Sequence, residues 1–396
     1  MNMDDIVIVA AKRTAIGGFL GAFSRIPAVD LGAMLIKGIL DETGIAPAEI
    51  DQVIMGQVLT AGCGQNPARQ TAIKAGLPKN VTGLTVNKVC GSGLVAVQLA
   101  AQAIRNGDAD MVIAGGQENM SMAAYALPGG RQGVRLGHAQ LVDTLVHDGL
   151  TDAFDHTHMG ITAENVAGKY QVSRQEQDVF ALMSQNKALA AIESGRFESE
   201  ILPLTIAQKR GNIVVSQDEG PRRTTYEQLA KLKPVFKKDG VVTAGNASTI
   251  NDGAAAVIVC TRQKAQALGL TPLVSISAFA NTGISPSLMG MGPVSAINAC
   301  LMKAGRKVDD IDLFECNEAF AAQALAVKNE LGLADEKVNI NGGALALGHP
   351  IGASGCRILV SLIHQLHAKK LYAGIASLCV GGGEGVAMCV TRGESK

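Results

Sequence analysis

Two glycine-rich segments far apart in the chain lie over each other residue for residue: Cys90-Gly91-Ser92-Gly93-Leu94 and Gly352-Ala353-Ser354-Gly355-Cys356. After the first, Leu94, Val95, Val97, Leu99, Ala101 and Ile104 recur at helical spacing, and after the second Ile358, Leu359, Leu362, Ile363 and Leu366 do the same. A short apolar run follows each helix, Met111–Gly116 and Ile375–Gly381, and Asp51–Gly56 similarly resembles Ile311–Cys316. Strand and helix therefore alternate twice in related order, which predicts an α/β fold built from two duplicated halves. Any two strand–helix–strand units share part of this pattern, so unrelated units fit it as well.

The repeats place reactive side chains at element ends. Val81, Leu84, Val86 and Val89 read as a buried strand leading to Cys90, which puts that thiol in the first turn of the next helix. Unpaired N–H groups and the positive end of the helix dipole there would lower its pKa, and Gly91 and Gly93 would let a ligand approach the backbone. Such a cysteine suits a nucleophile; a buried structural thiol fits the same window. His349 stands at the threshold of the second helix, and Cys379 lies where a strand gives way to the triple glycine Gly381–Gly383 before a further strand.

Bulk properties exclude other classes. A chain of 396 residues has room for two ordinary domains, and 47% hydrophobic with 18% charged residues excludes a disordered or fibrous protein. Lys plus Arg equals Asp plus Glu at 35 each, which removes bulk charge as a reason to bind nucleic acid or membrane. The 8 cysteines form no C-x-x-C pair, so neither a disulfide scaffold nor a structural zinc site is expected, and no metal. No stretch reaches membrane-spanning length, and Glu394-Ser395-Lys396 lacks the terminal leucine of a peroxisomal address, so a cytoplasmic location is expected.

Between the repeats, from Ser121 to Ser248, the pattern loosens into what reads as an insertion wrapping a site. It holds one clear helix, Arg174 to Ser194, started by Ser173 with Glu176 three residues on. From Lys209 to Asp239 there are 8 basic and 4 acidic residues, including Arg222 and Arg223, a local surface for a polyanion or a solvated loop. Thr243–Cys260 brings small polar residues straight before a buried strand, and Glu315–Phe320 is a polar island in which Asn317 and Glu318 suit capping of the following helix.

Four separated motifs, VCGSGL at Cys90, NEAFA at Asn317, GHPIGASG at His349 and Cys379-Val380-Gly381, together make the chain resemble a thiolase of the biosynthetic acetyl-CoA C-acetyltransferase type. The segments GQNPARQ at Gly64, AGGQENMS at Ala114, TAGNAS at Thr243 and NDGAAA at Asn251 match in order, so the resemblance runs end to end. It implies the thiolase fold: two duplicated α/β halves in five layers, residues 1–120 plus 249–272 and residues 273–396, with an inserted loop domain at 121–248 that binds coenzyme A. It implies acetyl-CoA, acetoacetyl-CoA and coenzyme A as substrates and products, no further cofactor, and a homo-oligomer, a tetramer built from dimers, with Gly64–Gln70 near the dimer interface.

The resemblance also implies roles. Cys90 carries the acyl group after His349 takes its proton, and Cys379 removes the α-proton. The N–H groups of Cys90 and Gly381, the His349 imidazole and a water held by Asn317 stabilise the oxyanions. His158, Met159, Ser248, Met289, Ala319 and Phe320 surround the pantetheine arm and acyl group, and Arg222 or Arg223 meets the phosphates. Lys88, Val89 and Cys316 depart from the family pattern and leave the acyl-chain preference open, with a broader-chain 3-ketoacyl-CoA thiolase as the alternative. A β-ketoacyl synthase would lack Cys379. A dinucleotide-dependent oxidoreductase, suggested by Gly91–Ala96 as G-x-G-x-x-A, leaves Cys90, His349 and Cys379 without a role.

Overall fold

A computed structural model of the chain describes residues 5–207 and 211–393. Lys209 and Arg210 of the basic stretch and the terminal Glu394–Lys396 lie outside the described residues. One mixed sheet of 10 strands organises the fold. Its main path is made by β1 (Ile6–Arg13), β2 (Gln52–Gly56), β3 (Thr82–Val86), β4 (Met111–Asn119), β5 (Asn251–Thr261), β6 (Val274–Gly283), β7 (Leu313–Cys316), β8 (Ala373–Val380) and β9 (Glu384–Thr391). The two-residue strand Gly17–Gly18 pairs with the start of β5.

The order along the sheet is β7-β8-β9-β6-β1-β5-β4-β2-β3. From the β1–β6 junction outward, the pairings repeat. β1, β5 and β4 join antiparallel and β4 joins β2 parallel; on the other side β6, β9 and β8 join antiparallel and β8 joins β7 parallel. The matches drawn from sequence are thus topological equivalents, β4 with β8 and β2 with β7. The strand alternation that aligned them reflects burial on both faces, which leaves parallel strands almost continuously apolar.

Helices complete five layers. On one outer face lie α1 (Ala28–Thr43) and α2 (Pro67–Lys74), and on the other lies α6 (Gly292–Ala304). Between the two halves of the sheet lie α3 (Ser92–Asn106) and α8 (Ile351–Ala368), whose apolar stripes form a single core with residues of β1, β4, β5, β8 and β9. The insertion supplies α4 (Met159–Lys169) and α5 (Arg174–Glu193), and α7 (Ala321–Leu331) follows the polar island. Ser173 and Glu176 form the expected capping box on α5. Among the described residues no helix is long and apolar enough to cross a membrane.

The matched glycines of the two repeats meet at the centre. A Cβ on Gly93 would lie 2.9 Å from the Cys356 nitrogen, and one on Gly355 would lie 2.5 Å from the Leu94 nitrogen. The starts of α3 and α8 therefore pack backbone against backbone, which brings Cys90 and His349 to one place.

Three local expectations are corrected. The strand before Cys90 is the sheet's outer edge rather than buried, with Leu84 42% exposed, and it ends at Val86. Cys90 precedes the helix, which starts at Ser92 with Gly91 as its cap. Neither Asn317 nor Glu318 caps α7: Phe320 occupies the cap without a side-chain bond, because both polar side chains are used in the interior.

Candidate active site

Cys90 hangs on a strained bend. Val89 has φ 46°, a left-handed conformation that a β-branched residue adopts at a cost of roughly 1–3 kcal/mol. Ser92 holds the bend: its Oγ accepts from Lys88 N at 2.8 Å and donates to Val89 O at 2.7 Å, while Val89 N donates to Asn87 Oδ1 at 3.0 Å. The position of Cys90 thus depends on side chains on either side of it.

A cavity of about 210 Å³ gathers Cys90, Cys379, His349 and Gly381 with His158, Met159, Ser248, Met289, Ala319 and Phe320. Asn317 reaches it through His349. Arg222 and Arg223 do not line it, and both are exposed. An open cleft of about 1120 Å³ between Gly21–Lys74 and Thr205–Ala207 contains none of these residues.

The hydrogen bonds around His349 fix its tautomer. Ser354 Oγ donates its single proton to Pro350 O at 2.8 Å, so at 2.6 Å it must accept from His349 Nδ1–H. Nε2 is then the free base nitrogen, facing Asn317 Nδ2 at 3.4 Å. Burial first, then the positive charge of Arg357, pushes the imidazole down to about 3, so it is neutral and able to accept a proton. The Oδ1 of Asn317 is buried with no hydrogen-bond partner among the described residues.

Cys90 does not have the lowered pKa expected from its place before a helix. Burial pushes Cys90 up to about 11, outweighing N–H donors from Gly381 and from Cys90 itself. Burial, then the neighbouring Cys90, also raises Cys379 well above the ordinary thiol range. The helix begins two residues beyond Cys90, so its dipole acts at a greater distance, and the surroundings are apolar. Both cysteines therefore rest as neutral thiols. In the absence of substrate, alkylation of Cys90 by iodoacetamide should climb about tenfold per pH unit from pH 7 to 10, following the thiolate fraction. A plateau near pH 7, measured by peptide mass analysis, would mean an ion pair at rest.

Several contributors were not singled out from sequence. Phe236 stacks on His158 with ring centroids 4.7 Å apart and meets Phe320 edge-on at 6.3 Å, closing one wall. Its signal was an aromatic residue within a basic loop. Glu118 is buried beneath the site and accepts from Val58 N, Leu59 N and Gly352 N, the last at 2.9 Å. Burial pushes its carboxyl up to about 7 against those donors. Glu318 accepts from Ser184, Asn339 and Leu345 N, so it anchors the insertion to the segment that bears Asn317. Among the described residues no group of three or more His, Cys, Asp and Glu side chains is arranged to hold a metal ion.

Comparison with known proteins agrees along the chain. The family description "Thiolase, N-terminal domain" matches residues 6–263 and "Thiolase, C-terminal domain" matches residues 270–392. An acetyl-CoA acetyltransferase of Pseudomonas aeruginosa is 58% identical over 98% of this chain and 100% of its own length. A probable acetyl-CoA acyltransferase of Staphylococcus aureus is 54% identical over 98% of this chain and 100% of its own. The crystal structure of the Bacillus anthracis acetyl-CoA acetyltransferase superposes with a TM-score of 0.96 at 47% identity, covering 98% of this chain and 99% of that one.

Proposed function

The chain belongs to the thiolase family, and from that premise we infer that it is an acetyl-CoA C-acetyltransferase, condensing two acetyl-CoA reversibly to acetoacetyl-CoA and coenzyme A through an acyl group on Cys90. The observation that carries this reading is one small cavity holding two neutral thiols beside an imidazole whose free nitrogen is a base.

The resting protonation states suggest the course. Cys90 Sγ attacks the thioester carbon while His349 Nε2 takes its proton, and the imidazolium stays bonded through Nδ1–H to Ser354. The N–H groups of Cys90 and Gly381 already point at Cys90 Sγ and suit the developing oxyanion. Neutral Cys379 gives its proton to the leaving coenzyme A thiolate and is left as a thiolate. That thiolate removes the α-proton of a second acetyl-CoA, whose enolate attacks acyl-Cys90. Cys90 then leaves and recovers its proton from His349, so every proton returns to its start. Asn317, with an unpartnered Oδ1, suits a water that donates to an enolate oxygen.

The small cavity, walled by Met289 and Phe320, favours an acetyl group over longer chains. Turnover on acetoacetyl-CoA should exceed that on a longer 3-ketoacyl-CoA; equal rates would point to the broader-chain enzyme. The insertion at 121–248 is read as the loop domain that binds coenzyme A, and the exposed edge strand β3, with Leu84 and the nearby Ile73 both 42% exposed, supports assembly of copies of this chain.

Of the two arginines, Arg223 is paired with Glu193 at 2.8 Å, whereas Arg222 has no ion pair among the described residues. Arg222 is thus the freer partner for phosphates. Arg222→Ala should raise the acetyl-CoA KM roughly 2- to 5-fold, as expected for an exposed charge contact. It should also flatten the rise of KM with salt, since such contacts are screened within about 8–10 Å. An unchanged salt slope in the Arg222→Ala/Arg223→Ala double variant would place the phosphates elsewhere.

A further inference from the structure

Helix α8 is buried nearly along its length, yet one face is polar: Ser354, Arg357, Ser361 and Gln365, each at most 4% exposed. Their spacing of three, four and four residues puts them in a single row. Ser354 holds His349 Nδ1, and Ser361 donates to Glu200 at 3.0 Å. Arg357 and Gln365 both reach Glu315 on β7: Gln365 Nε2 donates to Oε1 at 2.8 Å, and Arg357 Nη1 lies 3.6 Å from Oε2.

Glu315 is two residues before Asn317. The strand ladder continues through Asn317, whose N–H donates to Ser377 O at 2.9 Å, so the two side chains share the face turned toward α8. Both partners of the catalytic imidazole are therefore one short step from the same clamp, Ser354 along the helix and Asn317 along the strand.

Arg357 is costly. Its Nε, Nη1 and Nη2 are buried without a hydrogen-bond partner among the described residues, and only Glu315 approaches within ion-pair distance. Replacing such a buried pair with apolar residues often stabilises a protein. The pair therefore makes sense as a device that positions groups and sets a local field rather than as a source of stability.

We propose that Arg357 and Glu315 are a positioning pair for the reaction, fixing α8 against β7 so that Ser354 and Asn317 hold the two nitrogens of His349. This rests on the acetyl-transfer reading. The field of Arg357 acts in the same direction, because its charge adds to burial in keeping His349 neutral. The other charges that face Arg357 are Arg13, Glu200 and Asp218, and these are largely settled among themselves, with Arg13 bound to Asp218 at 2.7 and 2.9 Å and to Glu200 at 2.7 Å.

The test compares Arg357→Met, Glu315→Gln and the unaltered enzyme by acetyl-CoA kinetics and by ¹⁵N spectra of histidine-labelled protein, with the His349 signal assigned from His349→Asn. A misplacement of the base should lower kcat about 10- to 100-fold in both variants. KM should stay within about twofold, because binding contacts are untouched. His349 should titrate at higher pH in Arg357→Met, toward the ordinary histidine range, and stay neutral in Glu315→Gln. Loss of a mere scaffold would not raise the His349 titration in Arg357→Met while leaving it low in Glu315→Gln. A folded Arg357→Met whose His349 keeps the wild-type tautomer and titration would overturn the proposal, and so would full kcat in folded Glu315→Gln if Arg357→Met does not fold. The spectra need no acyl-CoA, so inactivity of the unaltered enzyme would count against the acetyl-transfer reading and leave this inference to be decided by the spectra.

Discussion

Incubated with acetyl-CoA, Cys90→Ala should gain no acetyl mass, whereas Cys379→Ala should become acetylated at Cys90 and then stall. The expectation follows from two neutral thiols in one cavity with the His349 imidazole, whose unprotonated nitrogen is fixed by Ser354. Cys90 has two backbone N–H donors at its sulfur, from Gly381 and from Cys90 itself, where Cys379 has only its own, so Cys90 is the better arranged of the two to carry an acyl group. Cys379→Ala should also fail to exchange the methyl protons of bound acetyl-CoA for deuterium. Loss of a general acid or base typically costs about two to four orders of magnitude in rate, enough to separate the steps. His349→Ala should slow both. If Cys379→Ala cannot be acetylated while Cys90→Ala can, the two assignments are reversed.

Gly355→Ala should cost activity out of proportion to its size. The added methyl would meet the Leu94 nitrogen at 2.5 Å and Leu94 Cβ at 2.8 Å, and neither can move without the whole start of α3. The helices must separate, which costs roughly 1–3 kcal/mol as overpacking. The movement also carries Cys90 away from His349, and misplacement of about 1 Å between reacting groups can cost on the order of a hundredfold in rate. Gly168→Ala, in α4, is the control: nothing lies within 4 Å of its added methyl, so it should leave activity unchanged and stabilise by up to about 1 kcal/mol. Melting temperature and turnover measured together decide the matter. A Gly355→Ala enzyme with wild-type values for both would show that the helix contact does not set the site.

Much of this site was legible because its residues sit where local patterns change. Cys90, His349 and Cys379 each stand at a boundary between an apolar run and a glycine-rich turn, and an interior strand or helix gives a long periodic signal that ends abruptly there. Phe236 and Glu118 gave weaker signals. The first acts from a loop without periodicity, and the second is a polar residue on a fully buried strand whose partners, Val58, Leu59 and Gly352, come from distant segments. The capping expectation for Asn317 failed for the same reason: a short polar residue before a helix suits a cap locally, but here the imidazole of His349 competes for it.

By itself the sequence determined the alternation of strand and helix and the duplication, and it placed Cys90, His349 and Cys379 near element ends, because each is encoded by spacing within a few turns of chain. The tertiary structure alone decided their chemical state. The expected low pKa of Cys90 rested on a helix dipole, a local property, whereas burial by residues from both halves outweighs it and leaves the thiols neutral. The tautomer of His349 likewise depends on where Ser354 spends its one proton. Desolvation and hydrogen-bond partnership are sums over groups brought together by folding, so neither can be read from the segment that bears the titrating atom.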